Sequence, residues 1–250
     1  MSSLPANAVG NFNGVMMAAD GETEAAFGTV SLDITAKGKI SGKILEPDGS
    51  QWLFTAKNFA AQAAEGCFYF DLLAKNTKTR KQIALEAVVY NDDSVGGVVD
   101  AYPVSFEDDS PALDGEQVYS ITAQQNRWKI SQEDGGYQDH AVNYFTDVTG
   151  RAKYRMFYNG DAEVTVYGLQ EGESLALKVE QSGKVTATLT TTDGNGAMYS
   201  PTCTTVLNPT MSPQEVMLSA NAVLMFKDNA KKKFVGRFVS VTLEDIENPE

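Results

Sequence analysis

Residues that could transfer protons or bind a transition metal are scarce in this chain. Its 250 residues include a single histidine, His140, and two cysteines, Cys67 and Cys203. Nucleophilic catalysis of the serine, histidine and acid type needs a histidine beside a nucleophile, but the chain contains no Gly-x-Ser-x-Gly turn. Zinc sites need several histidine or cysteine ligands at fixed spacing. The sequence therefore predicts a protein that is not an enzyme and that uses no metal or other cofactor.

Acidic turns are the remaining feature with the chemistry of a cation site. The segments DDS at 92–94, EDDS at 107–110 and TTDGNG at 191–196 are rich in the oxygen ligands that calcium prefers. None completes a calcium loop, and Asp and Asn also favour turns by bonding their own backbone. We therefore expect plain turns. Paired carboxylates can also hydrolyse glycosides, but nothing singles out one pair among the 33 acidic residues, so a carboxylate-based hydrolase is only a third alternative.

Aromatic residues near the middle of the chain are the candidates for molecular recognition. Tryptophan and tyrosine rings can stack on sugar faces or anchor a protein interface. The alternative is that these rings are simply packed within strands, where aromatic residues are favoured. The candidate binding residues are Trp128, Tyr137, Tyr144, Tyr154 and Tyr158.

The two cysteines allow two alternatives. Cys67 lies in GCFYFDLL and Cys203 in PTCTTVLN, both strand-like settings without a neighbouring ligand. A disulfide between them would close a very long loop, which the chain-entropy model values at about 5 kcal/mol, and would indicate an oxidising compartment. Otherwise they are two buried thiols.

The elements that must position these residues are strands, and one strand pattern occurs twice. VSLDITAKGKISGKILEPDG at 30–49 aligns with LALKVEQSGKVTATLTTTDG at 175–194 at a single offset of 145 residues. In each copy apolar residues alternate with polar ones, and Gly38 or Gly183 stands where a hairpin turn needs positive φ. Each copy predicts a β-hairpin, and the match indicates an internal duplication.

Turn signals at short intervals extend the strand pattern along the chain. This spacing is typical of a sandwich or barrel and not of alternating strands and helices. The alanines of 51–65 permit a helix, but we favour a strand followed by a loop. The sequence thus predicts an all-β fold of two related antiparallel β-barrel or β-sandwich units, 7–106 and 151–246. A central connecting segment with hairpins of its own, 107–150, joins them.

The charge limits the range of partners. The net charge of −13 repels nucleic acid, and the basic run at 231–233 indicates a solvated turn. No apolar stretch approaches the roughly 20 residues of a membrane helix, and the first residues lack the profile of a signal peptide. We expect neither nucleic acid binding nor membrane insertion. A protein, a glycan or a second copy joined at exposed strand edges is the expected partner.

The repeated pattern also carries a resemblance. VGNFNGVM followed by FGTVSLDITAKGKISGKI, together with SLALKVEQSGKVTATL, resembles all-β modules repeated in tandem in large bacterial secreted or cell-surface proteins. The resemblance implies small antiparallel barrels or sandwiches and an extracellular or cell-envelope location, with no catalytic residue to carry over. We expect a non-enzymatic structural or interaction module, with a small-molecule or glycan-binding barrel or sandwich as the alternative.

Overall fold

The structure is a computed structural model, and it describes ten stretches of the chain. The chain divides between Asn126 and Arg127 into two compact units. No α-helix occurs in the described stretches, so the all-β prediction is confirmed. The described residues are 4–20, 23–64, 66–92, 96–103, 118–128, 151–157, 164–192, 196–211, 217–228 and 235–244.

Unit one is a closed antiparallel β-barrel. Within its described residues, eight strands pair in chain order, and the last pairs with the first to close the barrel. The strands are β1 (Gly10–Asp20), β2 (Thr23–Ile34), β3 (Ile40–Leu45), β4 (Gln51–Ala64), β5 (Cys67–Asn76), β6 (Gln82–Asp92), β7 (Gly96–Pro103) and β8 (Val118–Gln125).

One barrel strand comes from the predicted central segment 107–150. β8 pairs with β7 on one side and with β1 on the other. Without it both neighbours would be open edges that invite pairing with other chains. The unit boundary therefore lies after Asn126, which corrects the predicted division into 7–106, 107–150 and 151–246.

The interior of the barrel is filled by side chains. Alternate residues of each strand point inward, as period two requires, and they form one apolar cluster. Phe12, Ile44, Leu85 and Ile121 in this cluster have no exposed surface at all. None of these four side chains therefore borders a space that a water molecule could enter.

The segment before β1 covers one end of the barrel. A short 3-10 turn, Ala6–Ala8, lies beside β6 and β7. The Leu4 amide donates to the carbonyl oxygen of Ala36, at 3.0 Å. The Gln125 side-chain amide donates to the carbonyl oxygens of Ala6 and Val9, at 2.8 and 2.6 Å. This end of the barrel is thus closed by the chain itself.

Strand β4 is longer than the sequence predicts. The loop expected in the second half of 51–65 is absent, because β4 continues to Ala64 beside β5. Its register shifts repeatedly, first between Ala56 and Asn58. Such bulges insert extra residues and break the alternation from which a strand is recognised.

Unit two is a sandwich of two antiparallel sheets. In its described residues, the inner faces of the two sheets contribute to one apolar core. The five-stranded sheet contains β9 (Arg151–Phe157), β11 (Ser174–Glu180), β12 (Lys184–Thr192), β13 (Met198–Tyr199) and β14 (Thr202–Val206). The four-stranded sheet contains β10 (Val164–Tyr167), β15 (Asn208–Met211), β16 (Met217–Phe226) and β17 (Arg237–Glu244).

The repeated sequence pattern forms the same hairpin in both units. In unit one Ile34 pairs with Ile40, and in unit two Val179 pairs with Val185. The two pairs are related by the same offset of 145 residues, so the strand registers are equivalent. The hairpin prediction is confirmed at both places.

The turns of the two hairpins are also equivalent. Gly38 and Gly183 adopt φ of 79° and 70°. Their amides donate to the carbonyl oxygens of Thr35 and Glu180, at 2.7 and 2.8 Å. One hairpin belongs to a barrel and the other to a sandwich, however, so a duplication of whole units is not shown.

Candidate interaction face

The outer surface of β2 and of the first half of β1 is polar. Its side chains alternate with the buried set, and the Asn11 side-chain amide donates to the Asp33 carboxylate across the two strands at 2.9 Å. This is the pattern of an antiparallel sheet with one face in water. The outward residues here include Asn11, Asn13, Thr29, Ser31 and Asp33.

The next three strands place leucines at outward positions. Leu53 on β4 is 48% exposed, and Leu45 on β3 and Leu73 on β5 are half-buried. Leu53 pairs with Lys43 on one side and Lys75 on the other. Leu45 and Leu73 are therefore each a diagonal neighbour of Leu53, about 7–8 Å from it, on opposite sides. We call these five residues the leucine face.

Strand pleating explains why these leucines point outward. Ile44, Trp52 and Leu72 are buried in the barrel interior, and each is followed by one of the three leucines. Successive residues of a strand face opposite sides, so each leucine must lie on the outer surface. The apolar doublet formed by each buried residue and the leucine after it is a sequence signal for this surface, and it involves neither a catalytic nor an aromatic candidate residue of the central segment.

The two lysines of the leucine face are exposed and carry no ion pair within the described residues. They flank Leu53 on the two neighbouring strands, which places their backbones about 10 Å apart. An exposed apolar patch with a polar rim is typical of a protein interaction site. The lysines make this rim basic on an otherwise acidic chain.

A pair of carboxylates lies beside the leucine face. Asp71 is two residues before Leu73 on the same side of β5, and it pairs in register with Glu86 on β6. Like charges at directly opposite positions are destabilising in an isolated sheet. The outer surface thus changes from basic to acidic within a few residues of β5.

Three aromatic rings meet near the other end of the barrel from the 3-10 turn. Phe27 is the extra residue of a bulge in β2, and it packs against the core. Its ring lies edge-on to Trp52 at 6.3 Å and to Tyr119 at 5.1 Å. The Trp52 indole donates to the Glu46 carboxylate, at 2.5 Å. The indole N–H is therefore used within the unit.

The pKa of Glu46 is raised above its ordinary value, chiefly because burial disfavours the charged carboxylate. The hydrogen bond from Trp52 lowers the pKa, the charge of Asp48 raises it, and the charge of Lys78 lowers it. Asp48 also accepts hydrogen bonds from the Ser50 amide and hydroxyl, at 2.6 and 2.8 Å. The group holds the turn between β3 and β4 in place.

A buried carboxylate in unit two is likewise structural. Glu173 has a side chain that is 4% exposed, and it pairs with Arg237. It also accepts hydrogen bonds from the Thr191 hydroxyl at 2.5 Å and the Gln170 amide at 2.8 Å. Glu173 precedes β11, and Arg237 begins β17, so this pair joins the two sheets.

The structure places Trp128 in a core and not on a binding platform. Trp128 is 2% exposed, and its indole donates to the carbonyl oxygen of Leu207 at 2.8 Å. This corrects its candidacy as a binding residue, because a buried ring cannot stack on a ligand. Tyr154 lies on β9, but its side chain is not among the described parts of the chain. Tyr137, Tyr144 and Tyr158 lie outside the described residues altogether.

Both cysteines are free thiols in this structure. A disulfide between them would join the two units, and it stays a prediction. Cys67 begins β5 in unit one, and Cys203 lies on β14 in unit two. Both are half-buried. Burial raises the pKa of the Cys203 thiol to about 12, and a hydrogen bond with the Met225 backbone opposes that shift.

The other sequence candidates fall largely beyond the described ranges. His140, the segment 107–110 and the central residues of the other two acidic turns lie there. Among the residues that the structure does describe, no group of histidine, cysteine and acidic side chains has the arrangement of a metal site. In the same part of the chain, no helix has the length and apolarity needed to cross a membrane.

No protein-family model, curated protein or solved structure matches the chain.

Proposed function

We propose that the chain is a non-enzymatic interaction module of a bacterial extracellular or cell-envelope protein, and that the leucine face is its binding surface. The observation that carries this proposal is the exposed Leu53 on the outer barrel surface, with two further leucines, Leu45 and Leu73, at outward positions of the adjacent strands. Leaving apolar side chains in water has a free-energy cost of about 25 cal/mol per Å², which a partner that covers them removes.

The proposed location depends on the resemblance of the repeated pattern to tandem modules of bacterial surface proteins. The equivalent hairpins at 30–45 and 175–190 are consistent with that resemblance. We include an internal duplication of this hairpin in the proposal, supported by the shared register and the shared glycine turn. The different sheet arrangements of the two units limit that duplication to the hairpin.

Small-molecule or glycan binding is the alternative function. In unit one, the filled interior leaves no space beside Phe12, Ile44 or Leu85 for a ligand. The partly buried rings of Phe27 and Tyr119, near one end of the barrel, are the aromatic surface in unit one that would suit such a ligand. A thermal-shift screen against glycans, lipids and calcium tests this alternative, because a ligand that binds the folded state raises the melting temperature.

Hydrolysis by a carboxylate pair has less support from the geometry. Asp71 and Glu86 face each other in register, but on an outer barrel surface and not across a cleft. Glu173 is enclosed by its hydrogen-bond donors. Neither carboxylate arrangement offers a substrate a concave site, which enzymes with small substrates normally provide.

Photo-crosslinking tests the proposed binding surface. A photo-crosslinking amino acid is placed at Leu53 and, as the matched control, at Asn13 on the polar outer surface. Both proteins are irradiated alone and in the secreted and envelope fractions of the source organism. We expect macromolecular adducts from position 53 and none from position 13. Equal adducts from both positions, or none from either, would contradict the proposal.

A further inference from the structure

The turn beside the leucine face is basic. Between Asp71 and Glu86 the chain contains four cationic residues and no carboxylate. These residues are Lys75, Lys78, Arg80 and Lys81, and all of them are exposed. We call residues 76–81, which join β5 to β6, the basic turn. A chain with a net charge of −13 thus presents positive charge next to its exposed leucine.

Hydrogen bonds fix the backbone of the basic turn. The buried side chain of Asn76 accepts hydrogen bonds from the amides of Lys78 and Thr79, both at 2.9 Å. The Thr77 amide donates to the carbonyl oxygen of Gln51, at 2.8 Å, which joins the turn to the start of β4. The basic turn is therefore held in place beside the leucine face.

Arg80 has a backbone conformation that suits glycine. Its φ is 64°, and among the described residues it is the only non-glycine residue with positive φ. The left-handed region brings Cβ close to the following carbonyl oxygen, so a side chain here strains the backbone. The side chain that this position keeps is a guanidinium, whose planar fork matches a carboxylate.

Three cations are available to a partner. Lys43 and Lys75 point outward on either side of Leu53, and Arg80 is exposed in the basic turn. None of these three cations has an ion pair within the described residues. Lys78 instead acts on Glu46, whose pKa its charge lowers.

Carboxylates border this basic area on two sides. Asp71 is four residues before Lys75 on β5, about 14 Å away, and it pairs with Glu86 on β6. Asp33 on β2 is a diagonal neighbour of Lys43, about 7–8 Å away. A bilayer or a nucleic acid duplex is wide enough to meet these carboxylates, which repel its phosphates. A single extended chain is narrow enough to avoid them, so the charges favour an acidic peptide segment.

We propose that the leucine face binds an acidic segment of another protein, in which an apolar side chain contacts Leu53. Carboxylates beside that side chain pair with Lys43, Lys75 and Arg80. This inference rests on the proposed function and gives the chemistry of the partner. The backbones of the two lysines are about 10 Å apart, so carboxylates about two to four residues apart in an extended segment can reach both.

Photo-crosslinking from position 53 identifies the segment that binds. Adducts formed in the secreted and envelope fractions are digested, and mass spectrometry gives the sequence of the peptide attached to position 53. We expect at least two carboxylates within about four residues of the crosslinked residue. A neutral or basic peptide overturns the proposal, and so does an adduct with lipid, nucleic acid or glycan.

Charge reversal tests the two lysines. Lys43→Glu combined with Lys75→Glu should reduce the yield of the adduct at least tenfold, because like charges then face the carboxylates of the partner. The matched control is Lys37→Glu combined with Lys39→Glu, in the exposed β2–β3 turn at the other end of the barrel, and it should leave the yield unchanged. Lys43→Arg combined with Lys75→Arg keeps both charges and should keep the yield. Equal losses in the reversed and control variants would overturn the proposal.

Arg80→Gly separates binding from folding. The variant loses the guanidinium but gains a residue that adopts positive φ freely, so its melting temperature should not fall. The yield of the adduct should fall at least threefold. A lower melting temperature with an unchanged yield would show that Arg80 supports only the turn, which contradicts the proposal. Circular dichroism checks that every variant is folded.

The crosslinking results separate failure of this inference from failure of the proposed function. Adducts from position 53 to a neutral protein segment would overturn the inference and leave the interaction module supported. The absence of specific adducts from position 53 would overturn both. An acidic segment whose capture is lost on charge reversal would support both.

Discussion

The indole of Trp128 donates a hydrogen bond to the carbonyl oxygen of Leu207, where the chain passes from one sheet of unit two to the other. The Leu207 amide donates in turn to the carbonyl oxygen of Gly183, at 2.9 Å. The Trp128 ring also lies so close to Gly183 that an added methyl group would come within 2.3 Å of it. The hairpin turn and the crossing of the chain therefore depend on one aromatic side chain.

Gly183→Ala should destabilise unit two by more than the backbone conformation alone explains. Gly172 also has positive φ, 81°, but a methyl group there would meet nothing within 4 Å. Gly172→Ala should cost about 1–2 kcal/mol from backbone strain. Gly183→Ala should cost about 1–3 kcal/mol more because it overpacks the Trp128 ring. Urea unfolding of both variants measures the difference, and equal losses would show that the ring moves aside freely.

Removing the Glu173 carboxylate should destabilise unit two strongly. Glu173→Ala leaves Arg237, whose side chain is only 20% exposed, without its partner, at a cost of about 3 kcal/mol. The matched control is the more exposed pair of Lys178 and Glu180, where Lys178→Ala should cost less than about 1 kcal/mol. Urea unfolding measures both, and similar losses at the two pairs would contradict a structural role for Glu173.

The raised pKa of Glu46 predicts a stability that falls as pH rises. The folded state favours the protonated carboxyl, so this contribution is complete below the unfolded pKa, near 4.5. It is lost as pH rises through the higher folded pKa. Glu46→Gln keeps a carbonyl acceptor for the Trp52 indole but cannot ionise. The melting temperature of Glu46→Gln, relative to that of the wild type, should rise as pH increases from about 4 to about 7. Parallel pH profiles of the two melting temperatures would refute the assignment.

The Cys203 thiol should react very slowly in the folded protein. Its pKa of about 12, compared with an ordinary value of 9.0, reduces the reactive thiolate about a thousandfold at neutral pH. Alkylation of a Cys67→Ser variant measures Cys203 alone, first folded and then in denaturant. We expect the rate to rise at least a hundredfold on unfolding. Equal rates would show that the thiol is accessible and easily ionised in the fold.

The pairing of neighbouring strands was predictable from the sequence. Alternating apolar and polar residues on either side of a glycine turn specify a hairpin, and no residue distant in sequence is needed. The registers at Ile34 and Val179 show this directly. The role of β8 was not predictable in the same way. Its pairing with β1 joins residues that are 99 to 113 positions apart, and no local pattern specifies which edge a strand will close.

The site residues were harder to predict than the strands. Trp128 was proposed for recognition because of its residue type, but its neighbours Gly183 and Leu207 are distant in sequence and enclose it. For Leu53 the error runs in the opposite direction, because its sequence context suggests a buried residue and the structure exposes it. It sits in an apolar doublet that looks like core, and only the inward direction of Trp52 shows that Leu53 must face outward.

The placement of the two tryptophans gives each unit its own optical reporter. The chain has only two tryptophans, and Trp52 belongs to unit one and Trp128 to unit two. Replacing either with phenylalanine leaves a fluorescence signal from the other unit alone. Denaturation curves of the two variants can then reveal whether the barrel and the sandwich melt as one cooperative body or in separate steps.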